Sequence, residues 1–206
     1  MNKLSIIIPI FNEEKHIKKL IKKIKTINLN RVGLKKEIIA IDDGSTDKSF
    51  SILSKISGIK VFKQKNYGKG KAVQHGIKKS LGKYVLIQDG DLEYNPKDIV
   101  KMCRSIKNEK KISVYGSRYL PLRLKIFPKY YKNQKLFSYL ANIFFIFQFI
   151  ILYGKIITDP LTGYKLYEKN FFSKNIINSN GFEADHEISA KLIKQNYKIK
   201  EVSVSY

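Results

Sequence analysis

The chain has no tryptophan, one cysteine, three histidines and only 17 acidic residues among its 206. Each scarcity excludes something. Cys103 has no partner within the chain, so neither an intrachain disulfide nor a cysteine-rich zinc site can form, and a reducing compartment suits it. His16, His75 and His186 are dispersed and suggest neither a Ser-His-Asp nor a Cys-His arrangement; they read as surface or packing histidines. The apolar stretch 4–10 carries Pro9 and is too short for a signal-peptide core. Glycine spacing excludes two further classes. Gly76 to Gly82-Lys83 is one residue too long for a phosphate-binding P-loop, with Tyr84 where Ser or Thr is needed, and no G-x-G-x-x-G follows the first strand.

Against the 17 acids stand 40 basic residues, giving a net charge of +23. Only four are arginine, so the excess is mostly lysine and fits a composition bias on a solvated surface. A nucleic acid and an anionic membrane are both admissible partners on charge alone. Residues 110–158 hold nine basic residues and no acid. Within them, 119–136 mixes tyrosines with lysines and 140–153 is almost wholly apolar, shorter than the ~20 residues of a membrane span. A helix over about 136–153 reads either as a buried core helix or as one lying in a membrane interface.

The rest of the chain alternates. Apolar strands are expected at 4–10, 37–42, 59–62, 84–88 and 112–115, with a last one in VSVSY at 202–206. Helices are expected through Ile17, Leu20, Ile21 and Ile24, through Phe50 and Leu53, through Ala72, Val73, Gly76 and Ile77, and from Pro96 to about Lys107. This order predicts an α/β fold with a mostly parallel, doubly wound sheet flanked by helices, in one domain over 1–206.

The acids cluster where such a sheet binds ligands, beyond the carboxyl ends of its strands. Glu13 and Glu14 follow the first strand, Asp42 and Asp43 end the second, and Asp89, Asp91 and Glu93 follow the fourth. A basic protein that gathers its few acids around one crevice is expected to hold a cation there. In QDGDLE, Asp89 and Asp91 are spaced to share one divalent ion whose remaining ligands are oxygens, which points to Mg²⁺ or Mn²⁺. An acidic crevice repels a polyanion, so nucleic acid becomes the weaker partner. A catalytically silent basic module is the reading of another class.

The segments IIIPIFNEE, EIIAIDDGSTD, NYGKGKAV, GKYVLIQDGDLEYNP, YGSR, DPLTGYKLY and GFEADHEISAKLIKQNYKIKEVSVSY, in this order, resemble the inverting GT-A glycosyltransferases of family 2. The likeness is to the subgroup that loads sugars onto polyprenyl phosphates, such as dolichol-phosphate mannose synthases and undecaprenyl-phosphate glycosyltransferases. It implies a Rossmann-like GT-A fold with a nucleotide-sugar half, 1–118, and an acceptor half, 119–206, bearing a basic and apolar segment. It places Pro9, Phe11, Glu13, Asp42, Asp43, Asn66, Gly68, Lys71 and Asp89 about the nucleotide, with Phe11 where the family usually has Tyr. It makes Asp89, Asp91 and Glu93 the metal ligands and sets Arg118, with Lys132 or Lys135, against the acceptor phosphate. It puts Asp159, Glu183 and Asp185 on the acceptor side, where a hydroxyl acceptor would need a base. The implied reaction is transfer of a hexose from a GDP- or UDP-sugar to a polyprenyl phosphate, or alternatively to a glycan hydroxyl. The enzyme is then expected to be cytoplasmic and peripheral on the inner face of the cell membrane, attached through 119–153 or through a membrane-protein partner.

Overall fold

A computed structural model describes residues 1–106, 109–120, 136–174 and 177–206, with 136–139 and 174 described by their backbone. Seven strands form one sheet: β1 (Asn2–Ile10), β2 (Leu34–Asp42), β3 (Lys60–Lys63), β4 (Tyr84–Ile87), β5 (Ile112–Ser117), β6 (Lys165–Glu168) and β7 (Lys198–Ser203). Their spatial order is β3-β2-β1-β4-β6-β5-β7. All neighbours run parallel except at β6, which is antiparallel to both β4 and β5.

Among the described residues seven α-helices accompany them: α1 (Ile17–Thr26), α2 (Ser49–Ser54), α3 (Lys69–Lys79), α4 (Asp98–Arg104), α5 (Leu136–Tyr153), α6 (Asn170–Lys174) and α7 (Ala184–Lys194). β1 is buried from Leu4 to Ile10, as a central strand covered on both faces must be. Successive side chains alternate faces: Ile6 and Ile8 join one core with Leu20 and Ile24 of α1 and Met102 of α4. Ile7 joins the other, with Val73 of α3, Phe149 of α5 and Leu192 of α7. Two helix layers therefore sandwich the sheet and leave its carboxyl edge open.

Three expectations shift. β6 enters the sheet from the second half of the chain, a strand the apolar pattern does not show. The helix after Pro96 ends at Arg104, short of Lys107, which lies outside the described residues. The last strand is KIKEVS rather than VSVSY.

α5 has one packed face and one exposed face. Phe149 is fully buried, and Phe145 and Phe149 stack on His186 of α7 at 4.6 and 4.7 Å. Leu140, Phe144, Phe147 and Ile151, spaced as one stripe, are 54 to 79% exposed. Among the described residues no helix is long and apolar enough to cross a membrane.

Candidate active site

Parallel pairing aligns the loops that follow the strands. Ile10 lies opposite Asp42, the Asp43 N–H donates to Ile10 O at 2.8 Å, and the Gln88 N–H donates to Ile7 O at 2.9 Å. The ends of β1, β2 and β4 thus open into one cleft of about 480 Å³.

The first loop is built around Asn12, whose φ of 57° is a left-handed conformation that Asn tolerates. Its Oδ1 accepts the Thr46 N–H at 2.9 Å, while the Asn12 and Glu13 N–H groups donate to Ser45 Oγ at 3.0 Å and Ser49 Oγ at 2.8 Å. The FNEE and GSTD segments therefore fold as one unit. Asp43 shapes the glycine loop: its carboxylate accepts from Gln64 Nε2 at 2.7 Å, Tyr67 N–H at 3.0 Å and Gly68 N–H at 2.9 Å. Gly68 has φ of 95°, and a Cβ there would lie 2.7 Å from Asn180 O, so only glycine fits.

Pro9, Phe11, Glu13, Asp43, Asn66, Gly68, Asp89, Asp91 and Glu93 line the cleft. Asp42 and Lys71 are not among the lining residues. Asp42 is fully buried beneath the cleft; its Oδ2 accepts the Ser45 N–H at 3.3 Å, and its Oδ1 has no hydrogen-bond partner among the described residues. Lys71 turns to Gln74, at 3.5 Å. Lys132 and Lys135 lie outside the described residues.

Lys69 and Phe182 line the cleft instead, without having been singled out. Lys69 Nζ lies 2.7 Å from Asp89 Oδ1 and 3.6 Å from Asp185 Oδ2. Burial opposes the ammonium, but the Asp89 and Asp185 carboxylates hold it protonated well above the usual lysine range. Asp185 is also bound by the fully buried Lys165, Nζ to Oδ1 at 3.2 Å. Burial alone would raise the Asp185 pKa; the two lysines bring it below the ordinary value.

Among the described residues Asp91 accepts only the Glu93 N–H, at 3.0 Å. Burial, and then the Asp89, Glu93 and Glu13 charges, push its pKa up to about 6. This is a carboxylate short of cations. Glu93 Oε2 accepts the Tyr206 hydroxyl at 2.6 Å. Among the described residues no three His, Cys, Asp or Glu side chains form a ready metal cage. The donor set still fits a hard divalent ion of the Mg²⁺ type, which is commonly held by one or two carboxylates while phosphates and water complete its shell.

On the other side of Tyr206 lies Arg118, its guanidinium 5.0 Å from the Tyr206 ring. Arg118 Nε and Nη2 donate to Asp159 Oδ2 and Oδ1 at 2.8 and 2.9 Å, and the Arg118 backbone N–H donates to Oδ2 at 3.0 Å. Asp159 is fully buried. Glu201 on β7 holds the backbone beneath it, accepting the Thr158 N–H at 2.8 Å and the Asp159 N–H at 3.2 Å. Glu183 is likewise occupied: its Oε1 accepts the Asn180 and Gly181 N–H groups at 3.1 and 2.9 Å, which lowers its pKa.

Residues 5–174 match the family model described as glycosyl transferase family 2. Among curated proteins, the dolichol-phosphate mannosyltransferase of Pyrococcus furiosus is 31% identical over 99% of this chain, which spans 56% of that protein's length. The UDP-N-acetylglucosamine–dolichyl-phosphate N-acetylglucosaminyltransferase of Methanococcus voltae is 29% identical, covering 80% of this chain and 69% of its own. Among solved structures, glucosyl-3-phosphoglycerate synthase of Mycobacterium tuberculosis, in complex with Mn²⁺, uridine diphosphate and phosphoglyceric acid, superposes with a TM-score of 0.72 at 18% identity. That likeness covers 98% of this chain and 68% of the other, and it shows the GT-A fold.

Proposed function

This chain belongs to glycosyl transferase family 2, and from that premise we propose that it moves a hexose from a nucleotide sugar to a polyprenyl phosphate at a membrane surface, assisted by Mg²⁺ or Mn²⁺. The observation that carries this reading is the order of charge from the cleft outward, through Glu93 and the Tyr206 that it holds to Arg118. Carboxylates line the donor side, and the Arg118 guanidinium stands one tyrosine away, at 5.0 Å from the ring of Tyr206.

On the donor side, Pro9, Phe11, Glu13 and the Asn66–Gly68 loop cradle the nucleotide, with Asp43 fixing that loop's shape and Asp42 holding the Ser45 turn. Asp89 and Asp91 would hold the ion, Glu93 standing beside them, and the ion when bound would neutralise charge developing on the leaving diphosphate. The N-terminus of α3 brings both its dipole and Lys69 to the same side.

The acceptor side argues for a phosphate. A hydroxyl acceptor needs a carboxylate to take its proton. Asp159 is engaged by Arg118, Glu183 by two backbone N–H groups and Asp185 by Lys165 and Lys69. A phosphate monoester arrives anionic and needs no such base. Arg118 spends Nε and Nη2 on Asp159, so Nη1 is the guanidinium nitrogen that pairing leaves for an acceptor phosphate. Displacement at the anomeric carbon then proceeds in one step and inverts it. The exposed stripe of α5, set in the acid-free stretch 110–158, supplies the face for a membrane with anionic lipid. The relatives named for dolichyl phosphates support the same acceptor class.

The test is purified protein incubated in liposomes with undecaprenyl phosphate and labelled UDP- and GDP-sugars. Label is expected on the lipid; label only on a supplied glycan hydroxyl would sink the lipid-phosphate reading. A second expectation concerns Gly163, where a Cβ would collide with Asp89 Oδ2 and lie 3.0 Å from Lys69 Nζ. Gly163→Ala is expected to displace the Asp89 carboxylate and lower turnover about tenfold, read by steady-state assay beside a thermal melt.

A further inference from the structure

Two lysines and two carboxylates alternate in one largely buried row: Asp89, Lys69, Asp185, Lys165. Lys69 is 14% exposed, and the Phe182 ring lies 5.3 Å from its Nζ. Lys165 also donates to Pro160 O at 3.1 Å and Asp185 O at 3.2 Å, so the far end of the row is fixed. The near end is not: Lys69 has a tight partner in Asp89 at 2.7 Å and a looser one in Asp185 at 3.6 Å.

Resting on the glycosyltransferase reading above, we propose that Lys69 is a resident counter-cation on Asp89, a positioning residue that makes divalent-ion binding depend on the nucleoside diphosphate. A divalent ion and an ammonium repel each other strongly at one carboxylate in a partly dry site. For Asp89 to serve an ion, Lys69 must leave it, and a buried ammonium needs another anion. Asp185 offers only part of one, because its Oδ1 already holds Lys165. The diphosphate is the second anion, and it arrives on the same side. Without nucleotide the ion must therefore displace Lys69 at a cost; with nucleotide the ammonium passes from Asp89 to the diphosphate. Each ligand then tightens the other by the same factor.

The test measures Mn²⁺ affinity of the full chain by calorimetry and by the electron paramagnetic resonance of free Mn²⁺, with and without UDP or GDP. In Lys69→Met, bare Mn²⁺ is expected to bind about tenfold more tightly than in the wild type, and the nucleotide is expected to tighten it about tenfold less. Asp185→Asn should move bare Mn²⁺ affinity the opposite way, because Lys69 then leans on Asp89 alone. Opposite signs from neighbours in one row are not produced by general loss of folding. If Lys69→Met does not fold, Asp185→Asn decides alone: weaker bare Mn²⁺ binding supports the proposal, and equal or tighter binding overturns it. Unchanged Mn²⁺ affinity and coupling in folded Lys69→Met overturns the counter-cation role and leaves the transferase reading standing. A wild type that binds neither Mn²⁺ nor nucleotide overturns both.

Discussion

Asp91→Ala is expected to abolish Mn²⁺-dependent nucleotide-sugar binding and to cut transfer about 10³-fold without loss of the fold. The side chain supports little structure, since among the described residues it bonds only the Glu93 N–H. It stands among the Asp89, Glu93 and Glu13 charges that, after burial, raise its pKa to about 6. Removing it relieves repulsion, so the melting temperature should stay level or rise. Asp89→Ala makes the contrast: it strips Lys69 of its 2.7 Å partner and should lower the melting temperature as well as activity. Calorimetric titration with the nucleotide sugar and Mn²⁺, beside thermal denaturation, reads both effects. Equal binding by wild type and Asp91→Ala would return the account of a catalytically silent basic module.

Which parts of this site could be read from residues alone follows from the range of the interactions. Strands such as LSIIIPI and YVLI announce themselves because burial on both faces leaves Ser5 as their one polar position. The acids after those strands then fall at the cleft by topology alone. β6 hides because KLYE carries two charges in four residues, and the carboxylate that pairs with its buried lysine is that of Asp185, twenty residues on. The choice between Lys69 and Lys71 is a matter of helix phase. α3 begins at Lys69, so Lys71 stands about 200° around the axis, turned away from the cleft. Loop lysines flanking glycines look alike until the left-handed turn at Gly68 fixes that start. The lone lysine between Tyr164 and Leu166 was the available sign of a buried charge. Asp159 and Arg118 are 41 residues apart, and pairing at that separation is a product of the sheet. The hydrophobicity of α5 gave its length, while the division into a packed face and an exposed stripe depends on where α7 lies.

Arg118→Met should cost both stability and transfer, and the two losses can be separated. Asp159 is fully buried and would lose two of its three Arg118 donors, keeping the backbone N–H. An uncompensated buried carboxylate of this kind costs about 3 kcal/mol. Transfer to the lipid phosphate should fall about 10²-fold or more, since the planar fork that aligns the acceptor is gone. Arg118→Lys keeps the charge but not the fork: one ammonium can satisfy Asp159 or the phosphate, not both, so turnover should recover little. The double variant Arg118→Met with Asp159→Leu removes the buried charge along with its partner. Its stability should return to within about 1 kcal/mol of the wild type, as read by chemical denaturation. Its turnover should not return. A double variant that regains both would mean that Arg118 serves only to neutralise Asp159, and the acceptor phosphate would then need another cation.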